Sequence, residues 1–430
     1  MRYSSIPDRF DIDIVLREDL EAKLGMRGSE PGPEMVVRIL AFDSRLPWGY
    51  VVVDNTVRGP SLGGVRLVPD ATLEEVCILA RAMTFKNAAA NLPVGGGKSI
   101  LVGDPLFYAA EPSLKKKLMH AFAEALWPIR NYIPGPDMGT DEQDMQTVYD
   151  AFTQLNGGPN HGRGGVGRPT EKGGLPLDDW GLTAHGLFSA ALTAEEYERD
   201  FHIKDSRVIV QGFGNVGSHV ARKLYAAGAK IVGASDIHGA LFHSDGLDMD
   251  ELLAIRKERT GLAGYGGSTE ARFGPDKLEE LLNIPCDVIV PAARPGVITS
   301  RNADLLQTKI ILQGANSPAD ETTEVYLEKR KGITCMTDFI VNAGGVIACS
   351  VELAMDTDGE YRKRVLAGGD SGRGHLEKLI HETVSTNVRE IYGRLSAAKD
   401  GDCTWRDAAL ALARKRLKTP STADTPGGLK

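Results

Sequence analysis

One segment, residues 206–236, restricts the fold more than any other. It opens S-R-V-I-V-Q-G-F-G-N-V-G-S-H-V-A-R-K-L and closes K-I-V-G-A-S-D, which reads as an apolar strand, a glycine turn, an amphipathic helix and a second strand ending in Asp236. Gly212, Gly214 and Gly217 have the spacing G-x-G-x-x-G, and the strand–turn–helix setting gives that spacing its meaning. Such glycines let a pyrophosphate rest on the helix N-terminus, where free N–H groups and the helix dipole favour anions. Asp236, about 20 residues further on, is placed to accept from both ribose hydroxyls. Two more apolar runs, C-D-V-I-V-P-A-A and K-I-I-L-Q-G-A-N, continue the α/β alternation of a doubly wound sheet. Asn316 ends the second of them, at the carboxyl edge where such sheets bind ligands.

A second stretch, residues 86–98, reads K-N-A-A-A-N-L-P-V-G-G-G-K and sets Lys86 and Lys98 at the ends of an uncharged segment. Upstream, Thr72 and Glu75 of T-L-E-E have capping-box spacing and predict a helix over 72–90. Val76, Leu79 and Met83 mark its apolar face, and Lys86 is the next position on that face, directed inward or snorkelling from the helix end. The run G-G-G-K-S before a predicted strand suggests a phosphate loop. That motif needs glycine at position 92, where Leu92 stands, so a nucleotide-triphosphatase is excluded. A lysine beside three glycines, with no carboxylate near in sequence, is a candidate for burial and a depressed pKa; the plain alternative is a helix end and a loop.

Around these stretches, R-G-P-S-L-G-G-V-R-L has Gly63 and Gly64 where a backbone can approach a small ligand, or simply turn. Ser113 is expected to cap a helix through Leu114, Leu118, Phe122 and Leu126, and Thr140 with Gln143 another through Met145, Val148 and Phe152. Asp137 lies in the stiff turn P-G-P-D-M-G-T ahead of that second helix, as a turn residue or a general base. Residues 156–174 read as a long loop or hinge, followed by an Ala-rich helix over 183–199.

A chain of 430 residues predicts two domains. Its net charge of −8 argues against a general nucleic-acid binder, which needs clustered cations. The five scattered cysteines form no C-x-x-C pair and predict reduced thiols and a cytoplasmic location. No signal-like N-terminus or membrane-length apolar run is seen, and no metal site is expected.

Taken together, G-P-S-L-G-G-V-R, M-T-F-K-N-A, L-P-V-G-G-G-K, G-P-D-M-G-T, G-F-G-N-V-G, G-A-N and V-N-A-G-G-V resemble, in order, the glutamate/leucine/phenylalanine/valine dehydrogenases. The resemblance spans residues 51–352 and implies oxidative deamination of an L-amino acid to a 2-oxo acid and ammonia with NAD, NADP being the alternative. It implies an α/β fold: a substrate and oligomerisation domain with a mixed sheet over 1–180 with a C-terminal return over 341–430, and a Rossmann domain over 181–340. A cleft closing during turnover and a homo-oligomer are implied too. By the same resemblance Lys86 binds the substrate carboxylate, while Lys98 and Asp137 are catalytic. Leu62, Gly63, Gly64, Met83, Cys349 and Asn342 line the substrate site. Thr183, Gly212, Gly214, Asn215, Val216, Gly217, Asp236 and Asn316 hold the cofactor.

Glutamate members carry lysine before the first G-G, where this chain has Leu62, and several carry serine where it has Cys349. A carboxylate buried against Leu and Cys would lose several kcal/mol, on the order of an unmatched buried charge. An apolar substrate of the Leu, Val, Phe or Trp kind is therefore expected. The alternatives are a glutamate dehydrogenase, whose branch the Asp137 turn and Gly-rich loop resemble more, and an inactive NAD-binding regulatory protein. Asp236 would repel a 2′-phosphate, favouring NAD, with His238 and Lys230 near enough in sequence to soften the effect.

Overall fold

Alternating apolar residues in the first part of the chain build a six-stranded mixed sheet. Its strands are β1 (Phe10–Leu16), β2 (Met35–Ala41), β3 (Pro47–Asn55), β4 (Ser61–Val68), β5 (Gly95–Val102) and β6 (Tyr132–Pro136), in the order β1-β2-β3-β5-β4-β6. The run from β1 to β5 is antiparallel, and β4 lies parallel to both β5 and β6. Because side chains alternate across a strand, Val37, Ile39, Val51, Val53, Val65 and Leu67 meet Leu118, Phe122, Met145 and Val148 of the Pro112–Leu126 and Glu142–Asn156 helices. Val36, Val52 and Ile100 face the other way, onto Val76 and Ala80 of the Leu73–Ala89 helix.

The second sheet has seven strands: β7 (Arg207–Gln211), β8 (Lys230–Asp236), β9 (Gly239–Phe242), β10 (Ala271–Phe273), β11 (Val288–Pro291), β12 (Ile310–Leu312) and β13 (Thr334–Met336). Their order is β10-β9-β8-β7-β11-β12-β13, with β8, β7, β11, β12 and β13 parallel, β9 antiparallel to β8, and β10 antiparallel to β9. The order reverses between β7 and β11, and such switch points open a ligand crevice at the strands' carboxyl ends.

This computed structural model describes residues 6–7, 9–26, 31–42, 46–158, 164–258, 261–367, 370–398 and 402–418. The chain divides into one unit of Met1–Pro176, Val346–Gly372 and Ala413–Lys430, and another of Leu177–Gly345 and Arg373–Leu412. The expected C-terminal return over 341–430 is therefore shared, with Arg373–Leu412 belonging to the Rossmann unit. There Trp405 is buried and stands edge-on to Tyr392, which stacks on Tyr197. No helix among the described residues is long and apolar enough to cross a membrane. The Pro- and Gly-containing sequence beyond residue 416 suggests a frayed end, and it falls mostly outside the described residues.

Several local expectations need correction. Ser113 lies inside its helix, which begins at Pro112, since proline suits a first turn that lacks N–H acceptors. The next helix is capped by Asp141 with Asp144 in a reciprocal capping box, because the Thr140 hydroxyl is spent on Val65 O (2.7 Å). The Ala-rich helix covers Leu182–Ala194. Residues 164–168 are buried rather than forming an open hinge: the Glu352 carboxylate accepts from the N–H groups of Gly167, Arg168 and Leu175 and from Arg168 Nε at 3.0 Å.

Candidate active site

The G-G-G-K run forms the start of β5 and not a loop, with every residue of Gly95–Val102 buried. Glycine is required there by contact: a Cβ on Gly96 would lie 2.1 Å from Thr84 N, and one on Gly95 1.8 Å from Asn55 O. The helix thus packs on bare backbone. Its buried stripe is Val76, Ala80, Thr84, Asn87 and Ala88, so Leu79, Met83 and Lys86 flank that stripe half-buried instead of lying at its centre. Asn87 locks the arrangement by donating to Gly95 O (2.7 Å) and Leu62 O (3.3 Å). The Thr72 cap forms as expected, but Glu75 reaches Arg66 rather than the cap backbone.

Emerging from β5, Lys98 is 4% exposed and its Nζ lies 2.8 Å from Asp137 Oδ2. Arg66 Nε approaches the same oxygen at 3.0 Å. Burial pushes the Asp137 carboxyl up, but Lys98 and Arg66 outweigh it and hold the group well below the usual carboxylate range. The turn is fixed from behind, with Asp137 N–H donating to Thr140 Oγ1 (3.0 Å) and Leu67 N–H to Met138 O (2.9 Å). Gly64 leaves room beside the ion pair, since a Cβ there would sit 2.7 Å from Asp137 Cβ and 3.3 Å from Lys98 Nζ. Tyr132 donates to Gly63 O and lies 2.9 Å from Ser99 Oγ.

Leu62 is 2% exposed, directly before this glycine pair, and Cys349 is 9% exposed on the Gly344–Thr357 helix. Arg66, Asn87 and Tyr132 are residues the sequence reading missed. Arg66 had a usable signal, because strand alternation puts it on the same face of β4 as Gly64.

In the second unit Gly212, Gly214, Asn215, Val216, Asp236, His238, Arg256 and Arg294 line a crevice of about 640 Å³. Gly212 has φ +97°, and a Cβ on Gly217 would lie 2.0 Å from Gly212 O, whereas one on Gly214 meets nothing within 4 Å. Turn, open approach and close helix packing are thus divided among the three glycines, which fits a pyrophosphate on the N-terminus of the Asn215–Ala226 helix. Asp236 is already engaged: Oδ1 accepts from His238 and Gly239 N–H, and Oδ2 from Leu262 N–H, at 2.7 to 3.1 Å. Of the roughly four acceptor positions on a carboxylate, one remains for a ribose.

Thr183 is the second residue of the Leu182–Ala194 helix, and a Cβ on Gly345 would lie 3.0 Å from its Oγ1. Close by in sequence, Asn342 donates to Gly314 O (3.2 Å) and Asn316 Oδ1 (3.1 Å). The buried Asn342 Oδ1 has no hydrogen-bond partner among the described residues. No His/Cys/Asp/Glu cluster suited to a metal is found among them either.

Two family models match, Glutamate/Leucine/Phenylalanine/Valine dehydrogenase over residues 173–421 and the Glu/Leu/Phe/Val dehydrogenase dimerisation domain over 42–154. The chain belongs to the Glu/Leu/Phe/Val dehydrogenase family. It is an amino-acid dehydrogenase, an oxidoreductase using NAD or NADP. Among relatives of this dehydrogenase, the NADP-specific glutamate dehydrogenase of Saccharolobus shibatae is 31% identical over 95% of this chain and 93% of its own. The NAD-specific glutamate dehydrogenase of Staphylococcus aureus is 36% identical over 73% of each. Among solved structures, a hetero-hexameric glutamate dehydrogenase from Thermus thermophilus in a Leu-bound form superposes with a TM-score of 0.74 at 27% identity, covering 96% of this chain and 89% of that one. These names give no support to the apolar substrate expected from Leu62 and Cys349.

Proposed function

We propose that this dehydrogenase oxidatively deaminates L-glutamate to 2-oxoglutarate and ammonia. The substrate follows the names of the relatives, and the chemistry rests on one observation, the buried Lys98–Asp137 ion pair at 2.8 Å beside the space left by Gly64. The bound nicotinamide supplies the hydride acceptor. On the protein side, Lys86 holds the α-carboxylate, and Lys98 stands beside the developing charge as water adds to the iminium carbon. Asp137 receives the proton. A carboxylate held so far below neutrality is a poor base, so Asp137 gains basicity as Lys98 turns toward the substrate and leaves Arg66 as its remaining cation. Asn342, whose buried Oδ1 has no hydrogen-bond partner among the described residues, accepts from the coenzyme's carboxamide. The chain assembles as a homo-oligomer, and its five cysteines, none of them in a disulfide, suit the cytoplasm.

An apolar amino acid remains a second reading because Leu62 and Cys349 are both buried and uncharged where a side-chain carboxylate would need a cation. Initial rates for Glu, Leu, Val, Phe and Trp separate the two. Preference for glutamate by about tenfold or more supports the proposal, and a preference for any of the others overturns it.

A further inference from the structure

Asn316 does not end the strand as expected: β12 stops at Leu312, and Asn316 lies four residues beyond it in an exposed bend whose backbone is tightly controlled. The next residue, Ser317, has φ +46°, a left-handed conformation that a residue with a Cβ adopts only when its surroundings impose it. Its N–H donates to Asp338 Oδ2 at 2.8 Å. Asp338 is 5% exposed and opens the Asp338–Val341 helix, whose next residue is Asn342. One short helix therefore grips the bend twice, Asp338 through the Ser317 backbone and Asn342 through the Asn316 side chain.

Asp338 is itself held by Gln313 and Arg406. Its N–H donates to Gln313 Oε1 (3.0 Å), and Gln313 Nε2 donates to Glu324 Oε1 (2.5 Å). Arg406, from the Trp405–Leu417 helix, places Nη2 3.3 Å from Asp338 Oδ1 and 2.7 Å from Glu324 Oε1. Gln313 and Glu324 are buried as well. A fully bonded buried network of this kind fixes one geometry.

We propose that Asp338 is a positioning residue for the dehydrogenase reaction: through the Ser317 N–H it forces the left-handed bend that aims Asn316 at the nicotinamide end of the coenzyme, with Arg406 and Gln313 as its braces. This rests on the reading of this chain as a dehydrogenase in which Asn316, one of the residues the family resemblance assigns to the cofactor, lies at the nicotinamide. The adenosine half of the crevice is built from other residues, so loosening the bend disturbs hydride transfer and leaves coenzyme affinity nearly intact.

The test compares kcat and the coenzyme dissociation constant for Asp338→Ala, Asp338→Asn, Ser317→Val, Asn316→Ala and the double variant Asp338→Ala/Ser317→Gly of the full chain. Asp338→Ala is expected to lower kcat by about tenfold or more, as misplacement of a reacting group does, with coenzyme affinity changed by about twofold at most. Asp338→Asn keeps an acceptor for Ser317 and retains most of kcat. In the double variant kcat recovers, since glycine adopts positive φ without help. Should Asp338→Ala not fold, the exposed Ser317→Val carries the test, because a β-branched side chain opposes the same φ, and its kcat falls in the same way. The inference is overturned if Asn316→Ala lowers kcat while Asp338→Ala and Ser317→Val do not, or if Ser317→Gly gives no recovery. If Asn316→Ala itself has normal kcat, the placement of Asn316 at the nicotinamide fails instead, and the inference with it.

Discussion

Asp137 carries two cations on one carboxylate oxygen, and much of the chemistry turns on that imbalance. Its folded pKa lies below its unfolded value, so it contributes stability that is present above the unfolded pKa of about 3.9 and is lost as pH falls through the lowered folded value. Asp137→Asn leaves Lys98 buried without its anion and Arg66 with Glu75 alone, and should cost about 3 kcal/mol at pH 7, measured by denaturant unfolding. Arg66→Gln removes one cation and leaves the other. The Asp137 carboxyl then rises, so the acid limb of the pH profile of kcat/KM should move to higher pH; an unmoved limb would separate Asp137 from the proton transfer. At this scale the sequence singles out Lys98 and Asp137, which stand in glycine- and proline-marked segments, but not Arg66, which joins them in one ion-paired cluster. Their meeting depends on β4 lying between β5 and β6, and nothing local encodes that order.

At the scale of elements, the glycines were legible and their settings only partly so. Residues 95–97 suggest a loop because glycine weakens strands, yet they form β5 because Thr84 and Asn55 press against them too closely for any side chain. The phase of the preceding helix was read one residue off for the same reason, since Ala80, Thr84 and Asn87 carry little hydrophobic signal although they form the buried stripe. The dinucleotide turn gives a sharper contrast. Gly217→Ala drives a Cβ into the Gly212 carbonyl and should cost about 2 kcal/mol or more in stability, from overpacking against backbone. Gly214→Ala enters open space, so its melting temperature should stay near wild type while coenzyme binding weakens. Thermal melts with and without coenzyme distinguish the two, and equal destabilisation by both would contradict the division of roles.

For the whole molecule, contacts distant in sequence decide what local patterns cannot. Arg168 is buried against Glu352 and Asp356, 184 and 188 positions away, and stacks on the Tyr149 ring at 3.8 Å. These pairs bring Val346–Gly372 back to the N-terminal unit, while Arg406 ties the later segment to Glu324 and Asp338 in the other. A single domain boundary near residue 341 could not anticipate that exchange, because the helices concerned have similar amphipathic patterns and differ in their partners. Glu352→Gln leaves Arg168 with Asp356 as its buried anion and weakens the bonds Glu352 accepts, and should destabilise the protein by about 2 kcal/mol in chemical denaturation. The most direct test of the central claim is the initial rate of reduced-coenzyme formation by the full-length protein with L-glutamate, beside Leu, Val, Phe and Trp, using NAD and NADP in turn. The account predicts turnover with glutamate as the preferred substrate; binding of coenzyme without turnover of any of these amino acids would contradict it.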